Sequence, residues 1–369
     1  MKKILFLTPY LPSSRAGGEN FTRLLLDDLS KHYLIDLIYF RYASDKFYDV
    51  NTPNIKVLRI IHNSTLLKLW DCLKIPIYHP IFTVRFSWRL LFYIKDLLSK
   101  ENYELIYLDH SQMFLYGRFF KEIPKIYMSH DVMAQRFQRH GNKLMWKWIC
   151  ATEKKLLSIP SSTIFTFSDK DKTIIESQYG IDSEVTHFFL DNQVIEAMPE
   201  QIEKRLVFFG KWKRADNFDG LKWFVENVLP KLPADLFISI VGIGLSQNFQ
   251  DGLAKYKNVS YLGFVDNPYK MISNSLAVIS PLFSGAGVKV KVVETLACGT
   301  PVIGTPIAFE GIFSTYDKFM IRAETTEEYL QKILKLNISL EERIAFKQMF
   351  LQSYNEKSIT SYIARNLPG

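Results

Sequence analysis

Short apolar runs, each followed by a segment with helical spacing, recur along the whole chain and constrain its fold more than any other feature. In the first half these runs occupy residues 4–7, 34–40, 55–61, 105–108, 126–128 and 164–167. Such runs are typical of strands buried on both faces of a parallel sheet. The helical spacing of Phe21, Leu25 and Leu29 between the first two runs predicts a strand–helix–strand unit with a right-handed crossover. The first half is therefore predicted to be a doubly wound α/β sheet.

The same rhythm restarts in the second half, at residues 206–209, 237–241, 259–263, 277–279, 301–303 and 319–321. Residues 184–204 show neither a strand nor a helix period, which indicates a connector with a hinge near 190–203. A chain of 369 residues is long enough for two domains. We predict an N-terminal Rossmann-like domain over 1–190, a C-terminal one over 204–345, and a terminal helix over 346–369 that packs back on the first.

Composition excludes several classes of protein. A hydrophobic share of 47% with 23% charged residues is that of a globular protein and excludes a disordered or collagenous chain. No segment has the roughly 20 apolar residues of a membrane span, and the N-terminal apolar run is too short for a secretory signal. Cys72, Cys150 and Cys298 show neither disulfide nor zinc-ligand spacing. We therefore expect a reducing, cytoplasmic location.

A formal net charge of +8 favours anionic partners such as phosphates, acidic lipids or nucleic acid. Two stretches, 65–100 and 136–155, alternate basic and aromatic residues on helical turns. Such surfaces can lie on anionic lipid, so the stretches predict peripheral contact with the inner face of a membrane. Alternatively, they are core helices with solvated basic faces. Nucleic-acid binding accounts for the charge but not for the glycine loops described next, so we expect no nucleic-acid partner.

Ligands of open parallel sheets bind beyond the carboxyl ends of the strands. The loop after the first strand carries Gly17 and Gly18 at the start of a helix, where backbone N–H groups and the helix dipole can receive an anion. The alternative is a tight turn in which the glycines serve only the backbone. The loop lacks the spacing of a dinucleotide-binding motif, which counts against a dehydrogenase.

Two histidines follow neighbouring strands of the first half. His130 comes after the fifth strand, and His110 occupies the comparable place after the fourth. An imidazole at this edge can donate a hydrogen bond to a phosphate or a sugar hydroxyl. The alternative for His130 is a cap on the following helix.

The most informative segment is 280–305, in which a strand, a glycine loop and a helix beginning at about Val288 follow one another. The helix N-terminus and its lysines predict a site for a diphosphate. Lys291 and Glu294 are three residues apart and share a helix face, so one can meet phosphate and the other a ribose. An ordinary surface pair is the alternative. The predicted loop contacts are Gly285, Ala286, Gly287, Val288 and Lys289.

Residues 285–304 contain the pattern Gly-x-Gly-x-Lys-x-Lys-x-x-Glu-x-Leu-Ala-x-Gly-x-Pro-Val-Ile, which resembles the nucleotide-sugar motif of retaining GT-B glycosyltransferases of family 4. Residues 209–219, 241–244 and 261–265 resemble earlier loops of the same family. The resemblance implies two Rossmann-like domains that face each other across a cleft. It also implies retaining sugar transfer from a nucleotide-diphosphate sugar to a saccharide or lipid-linked acceptor, in cell-surface polysaccharide or glycan synthesis.

The resemblance also implies roles for individual residues. Lys211 and Lys291 are expected to hold the diphosphate, Glu294 the ribose, and the backbone at Phe264 and Val265 the base. Because lysines and helix amides can neutralise the charge that develops on the leaving diphosphate, we expect neither a metal nor a cofactor other than the donor. The remaining expected contacts lie in the glycine loops and across the cleft: Gly210, Gly242, Gly17, Gly18 and His130.

Two positions depart from the commonest family pattern. Ala286 stands where many members carry a glutamate that binds the donor sugar, and Asn217 replaces the commonest phosphate-binding lysine. Two other functions therefore stay open beside the transferase. One is a sugar-nucleotide epimerase of the same fold, and the other is a catalytically silent scaffold that binds a nucleotide or a partner transferase.

Overall fold

The structure is a computed structural model that describes residues 1–13, 17–45, 47–50, 52–62, 75–138, 142–285, 287–312, 316–355 and 358–366. The chain divides into two compact units. The first comprises Met1–Phe189 together with Lys357–Gly369, and the second comprises Leu190–Glu356. None of the helices in the described ranges combines the length and the apolar character that crossing a bilayer requires.

The first unit is built on a seven-stranded sheet with the order β3-β2-β1-β4-β5-β6-β7. Every neighbouring pair in this sheet is parallel, as the buried apolar runs predict. The strands are β1 (Lys3–Thr8), β2 (Leu34–Arg41), β3 (Ile55–His62), β4 (Leu105–Asp109), β5 (Lys125–Met128), β6 (Ser162–Thr166) and β7 (Glu184–Val185).

Helices cover both faces of this sheet. One face packs on a large apolar cluster that includes Phe86, Leu90, Phe114 and Ile149. The other face is covered by the first helix, which buries Phe21 against Phe167, and by the last one. The helices are α1 (Gly17–Leu29), α2 (Pro80–Thr83), α3 (Trp88–Lys100), α4 (Phe114–Gly117), α5 (Met133–Gln138), α6 (Lys143–Leu157), α7 (Asp169–Tyr179) and, at the C-terminus, α15 (Ile359–Asn366).

The second unit repeats this plan with six parallel strands in the order β10-β9-β8-β11-β12-β13. The strands are β8 (Glu203–Phe209), β9 (Phe237–Val241), β10 (Val259–Gly263), β11 (Ser275–Ser280), β12 (Val302–Gly304) and β13 (Met320–Arg322). The helices are α8 (Asn192–Glu196), α9 (Ala215–Asn227), α10 (Gln247–Leu253), α11 (Tyr269–Asn274), α12 (Val290–Ala297), α13 (Thr326–Leu334) and α14 (Leu340–Asn355).

Side chains of the second sheet alternate between two apolar clusters. Val207 points to the cluster that contains Val292 and Phe346, whereas Leu206 and Phe208 point to the cluster that contains Phe224. Successive side chains of a strand lie on opposite faces, so each face of the sheet receives its own layer of helices. The predicted pair of doubly wound parallel-sheet units is confirmed.

Two segments differ from the sequence-based prediction. The connector 184–204 contains the short strand β7 and the helix α8, which the Asp191 side chain caps by accepting a hydrogen bond from Gln193 N at 3.1 Å. Elements of two and five residues are too short to show a period. The predicted terminal helix over 346–369 is two helices, of which α14 belongs to the second unit and α15 to the first.

Two glycines in helices of the second unit provide a matched test of this packing. A Cβ on Gly220 of α9 would lie 1.9 Å from the Pro281 carbonyl oxygen, whereas a Cβ on Gly252 of α10 meets nothing within 4 Å. Gly220→Ala should lower the free energy of unfolding by about 1–3 kcal/mol through overpacking. Gly252→Ala should raise it by about 0.5–1 kcal/mol through helix propensity. Thermal unfolding followed by circular dichroism measures both, and equal midpoints for the two variants would contradict the packing.

Candidate active site

The glycine loop of the second unit ends where a helix begins. Gly285 and Gly287 have φ angles of 121° and 70°, which a residue with a Cβ rarely adopts. The helix α12 begins at Val290 rather than at about Val288, because Lys289 is extended (φ −88°, ψ 97°) and forms the N-cap. The first N–H groups of the helix have no partner within the helix, so this end can receive an anion. Ala286 lies outside the described residues.

Lys291 on this helix is held by the loop that follows β8. Its Nζ donates a hydrogen bond to Asn217 Oδ1 at 2.8 Å, and Asn217 Nδ2 donates to the carbonyl oxygen of Lys211 at 3.1 Å. Asn217 therefore links the two lysines that the sequence assigns to a diphosphate. An amide positions the ammonium group without neutralising it, unlike a carboxylate.

Electrostatics around Lys291 favour an incoming anion. Burial lowers the pKa of Lys291 to about 8; the nearby charge of Asp216 acts against this, while Arg214 and Lys289 lower it further. Asp216 itself pairs with Arg214 at 2.6 Å. Lys291 is therefore a desolvated cation whose nearby anion, Asp216, is itself paired with Arg214, and a bound phosphate would add negative charge beside it.

Lys289 lies on the other side of the same loop. Its Nζ donates to the Gly287 carbonyl oxygen at 2.7 Å. A Cβ on Gly285 would lie 3.3 Å from Lys289 Cε and 3.7 Å from Asp216 Oδ2. The glycine loop, Lys289 and the Arg214–Asp216 pair therefore surround the N-terminus of α12.

The ends of strands β8, β9 and β10 approach one another closely. A Cβ on Gly242, whose φ is 116°, would lie 1.8 Å from the Gly210 carbonyl oxygen, so only glycine fits there. Gly242 N donates to the Gly263 carbonyl oxygen at 2.7 Å. Phe264 and Val265 follow directly, and the Phe264 ring is 73% exposed. The predicted base-binding segment therefore adjoins the glycine loops of the phosphate site, with an unburied aromatic ring available for stacking.

Glu294 lies one turn further along α12. Burial raises its pKa to about 7, a hydrogen bond from the Tyr269 hydroxyl acts against this, and the charge of Asp191 raises it further. A carboxylate in such a position can accept hydrogen bonds from a pair of sugar hydroxyls, as predicted for a ribose. Neither Tyr269 nor Asp191 shows any signal in the sequence that connects it with Glu294.

A second polar cluster lies at the carboxyl edge of the first sheet, in the other unit. Asp109 at the end of β4 is fully buried and accepts a hydrogen bond from His130 Nε2 at 2.7 Å. Thr8 and Thr22 donate their hydroxyls to its second oxygen at 2.9 Å and 2.7 Å. Burial alone would raise the pKa of Asp109, but the charges of the two histidines and the hydrogen bonds from His130 and Thr22 lower it to about 2.

Because the Asp109 carboxylate only accepts hydrogen bonds, His130 carries a proton on Nε2, and its Nδ1 is left for other contacts. The alternative of a helix cap is not realised, since Glu153 accepts hydrogen bonds from Met133 N and Ala134 N at the start of α5. Sequence reasoning missed Asp109 as the partner of His130. A charged residue closing the apolar run of β4 is the signal that could have found it.

His110 stacks face to face on His130, with ring centroids 3.4 Å apart. Burial lowers the pKa of His110 to about 3, and the charge of His130 lowers it further while Asp109 acts the other way. A Cβ on Gly18 would lie 3.2 Å from both His110 Cε1 and His130 Nδ1. Because Gly18 has no Cβ, both imidazole rings can pack closely against the start of α1. Gly17 is the first residue of this helix. Residues 14–16 of the predicted loop lie outside the described ranges.

Ligand atoms of Asp109, His110 and His130 lie within 4.8 Å of one another, which raises the question of a metal ion. The two rings are nearly parallel, at 10°, and stand 3.4 Å apart. A histidine nitrogen binds a metal ion through a lone pair that lies in the plane of its ring. Because the two ring planes are nearly parallel and separate, one ion cannot lie in both. Both Asp109 oxygens also already accept hydrogen bonds. The cluster as it stands therefore suits proton and hydroxyl chemistry better than metal ligation.

A family model and a curated relative each match part of the chain. Residues 203–337 match the sequence model of the family described as Glycosyl transferases group 1. An uncharacterized 44.6 kDa protein in the cps region of Klebsiella pneumoniae is 24% identical over 217 residues, which cover 53% of this chain. The match spans 56% of that protein, so the chain corresponds to little more than half the length of this curated relative.

Several solved structures resemble the chain over nearly its whole length. HepE of Anabaena in complex with UDP has a TM-score of 0.70 at 16% identity, over 100% of this chain and 99% of that one. WaaG, a glycosyltransferase involved in lipopolysaccharide biosynthesis, has a TM-score of 0.65 at 12% identity, over 99% and 100%. Sucrose-phosphate synthase from Thermosynechococcus elongatus has a TM-score of 0.65 at 13% identity, over 99% and 97%.

At these identities the structural likeness shows the fold, which is GT-B. Residues 203–337 of the second unit form a domain that matches the glycosyl transferases group 1 family. The resemblance inferred from the motif of residues 285–304 is confirmed at this level.

The raised pKa of Glu294 predicts how a substitution changes stability. In the folded protein this pKa is about 7, against 4.5 for an ordinary glutamate, so the stability contributed by the protonated form is lost as pH rises from 4.5 to 7. The glutamine of Glu294→Gln is neutral at every pH, so the variant does not lose this stability as the pH rises. It should therefore raise the free energy of unfolding by about 1–3 kcal/mol at pH 8 and leave it nearly unchanged at pH 4.

Thermal melts of wild type and variant at both pH values measure this difference. Glu226→Gln is the matched control, because Glu226 lies on the exposed face of α9 and pairs with Lys222 only at 3.9 Å. A Glu294→Gln effect that is the same at pH 4 and pH 8 would show that burial does not perturb this carboxyl.

Proposed function

We propose that the protein transfers a sugar from a nucleotide-diphosphate sugar to a saccharide or lipid-linked acceptor. One observation carries the proposal. The Lys291 ammonium is desolvated and held by Asn217 beside a glycine loop at a helix N-terminus. Sugar transfer from such a donor requires neutralisation of the charge that develops on the leaving diphosphate, and this arrangement supplies it from fixed groups.

We propose further that the reaction is metal-independent and retains the anomeric configuration. The bond between the anomeric carbon and the phosphate oxygen breaks, and the acceptor oxygen bonds to the same carbon. The acceptor proton passes to the departing phosphate, so no covalent enzyme nucleophile is needed. Lys211, Lys289 and Lys291, with the amides of α12, balance the negative charge that the diphosphate acquires.

Glu294 is proposed to bind the ribose and the segment at Phe264 the base. HepE, which has the same fold, forms a complex with UDP, so a UDP-sugar is the first donor to test and a GDP-sugar the second. His130 is proposed to contact a substrate hydroxyl through Nδ1, since Asp109 engages Nε2. In this role Asp109 fixes which nitrogen of His130 faces the substrate.

Two similar proteins bear on the acceptor and the biological setting. The cps-region relative of Klebsiella pneumoniae and WaaG, which is involved in lipopolysaccharide biosynthesis, support a role in making cell-surface polysaccharide. A lipid-linked acceptor would be held at a membrane surface, so we propose that the enzyme works in the cytoplasm at the inner face of a membrane. The positive formal charge of +8 favours contact with an anionic surface.

Nucleotide binding tests the proposed donor site through its pH dependence. With a pKa of about 8, Lys291 is charged below that pH and neutral above it. The Kd for UDP should therefore be constant up to about pH 8 and rise about tenfold per pH unit above it. Lys291→Met should weaken binding about 10- to 100-fold at pH 7 and abolish this dependence. Isothermal titration calorimetry between pH 7 and pH 9 measures both.

Lys222→Met is the matched control, because Lys222 is an exposed lysine on α9 and should leave the Kd unchanged. Failure of every nucleoside diphosphate and nucleotide sugar to bind would overturn the donor site. The products that form when a bound donor is incubated with an acceptor then distinguish the three candidate functions. Glycosylated acceptor supports the transferase, an epimerised donor supports the epimerase, and binding without turnover supports the silent scaffold.

A further inference from the structure

A group of exposed apolar side chains lies at the N-terminal end of α6. We define the docking patch as Ile77, Leu144, Met145 and Trp148, all of which are exposed, with 76% of Leu144 and 62% of Ile77 open to solvent. The patch is held together by local contacts. Met145 Sδ lies 3.1 Å from His79 Nε2, the Trp148 ring packs on the His79 ring at 4.8 Å, and Trp148 Nε1 donates to the Ile77 carbonyl oxygen at 3.5 Å.

Lysines flank the patch on the same helix. Lys143, Lys147, Lys154 and Lys155 of α6 are exposed, and none of them forms an ion pair with another residue in the described ranges. The helix contains one acidic residue, Glu153, which is buried and bonded to Met133 N, Ala134 N and the Tyr179 hydroxyl. The solvent-facing side of α6 is therefore entirely cationic in charge.

Lys143 occupies an unfavourable position within the protein itself, whereas Lys154 and Lys155 lie in the last turn of α6, where the helix dipole favours positive charge. The first turn of α6 carries Lys143 and no acidic residue, although the N-terminal end of a helix dipole favours negative charge. Leu144 and Met145 in the same turn gain nothing from exposure to water. An external partner that takes up both apolar groups and cations at this end of the helix explains the two features together.

The chemistry of the surface identifies that partner. Lysine is depleted at protein–protein interfaces, whereas lysine and tryptophan are characteristic of helices that lie on anionic lipid. The neighbouring helix α3 presents the same combination, with Trp88 and Phe92 exposed beside Arg89 and Lys95. Both helices pack on the same apolar cluster and hence cover the same face of the first sheet. Residues 63–74 and 139–141 of the two predicted basic stretches lie outside the described ranges.

The docking patch is tied to the polar cluster at the edge of that sheet. Trp146 Nε1, in the middle of the patch sequence, donates to the Ala134 carbonyl oxygen at 3.0 Å. Glu153 of the same helix binds the N–H groups of Met133 and Ala134, only three and four residues after His130. A surface that binds α6 is therefore rigidly connected to the segment that carries His130.

We propose that the docking patch and its lysines bind an anionic lipid bilayer and bring the His130 edge of the first unit to the surface where a lipid-linked acceptor is embedded. The inference rests on the proposed function only for the acceptor. Apolar side chains enter the headgroup region while Lys143 and Lys147 meet lipid phosphates, and both contributions are required for binding.

Flotation of the full chain with vesicles tests the proposal. The protein should float with vesicles of phosphatidylglycerol and phosphatidylcholine at low salt, and float much less at high salt or with phosphatidylcholine alone. The double variant Lys143→Gln, Lys147→Gln should partition about 30-fold more weakly. The double variant Ile77→Ser, Leu144→Ser should lose binding by at least about tenfold.

Matched controls carry the same changes elsewhere on exposed residues. Lys255→Gln with Lys257→Gln, and Leu334→Ser with Met349→Ser, should float as the wild type does. Thermal melts confirm that each variant is folded. UDP titrations on the same samples separate the two proposals, since the patch variants should bind UDP normally. Vesicle binding without UDP binding would overturn the proposed donor site and leave the proposed docking surface standing.

Three results would overturn the docking proposal. One is a wild-type protein that does not float with anionic vesicles at low salt, and another is equal flotation of patch and control variants. The third is a protein that self-associates in analytical ultracentrifugation and loses this association, rather than vesicle binding, in Ile77→Ser, Leu144→Ser. That result would assign the patch to a second copy of the chain.

Discussion

The hydrogen bond from Lys291 to Asn217 is the interaction on which the functional interpretation depends. A lysine removed from water favours its neutral form unless a counter-charge is supplied, and here the pKa has fallen to about 8. Asn217 orients the ammonium group without neutralising it, and itself binds the Lys211 carbonyl oxygen. Among the charged groups that act on Lys291, Asp216 is negative while Arg214 and Lys289 are positive, and this excess of positive charge favours binding of a diphosphate at a glycine loop and helix N-terminus.

In the polar cluster of the first unit, by contrast, a buried negative charge is stabilised by hydrogen bonds from its neighbours. Asp109 is fully buried, yet hydrogen bonds from His130, Thr8 and Thr22 satisfy both of its oxygens. Its low pKa and the neutral, stacked His110 leave His130 with one committed nitrogen and one available nitrogen. The second unit thus offers an excess of positive charge, and the first offers a positioned imidazole.

The sequence predicted the strands well because a strand buried on both faces needs an unbroken apolar run, and nearly every run became one. It predicted the glycine loop and the shared face of Lys291 and Glu294, since both follow from local backbone geometry. Partners far apart in the chain were not predictable. Asn217 is 74 residues from Lys291, and Asp109 meets His130 only because β4 and β5 are neighbours in the sheet. Short elements such as β7 show no period at all.

Hydrogen exchange of the backbone amides with and without UDP tests the central claim most directly, because it reports where the diphosphate binds without relying on turnover. We predict slower exchange at Gly287 to Lys291 and in the loop from Gly210 to Asn217 when UDP is bound. Exchange at the docking patch and at Asp109 should not change. UDP binding that leaves the amides of residues 287–291 unprotected would contradict the assignment of the diphosphate to the N-terminus of α12.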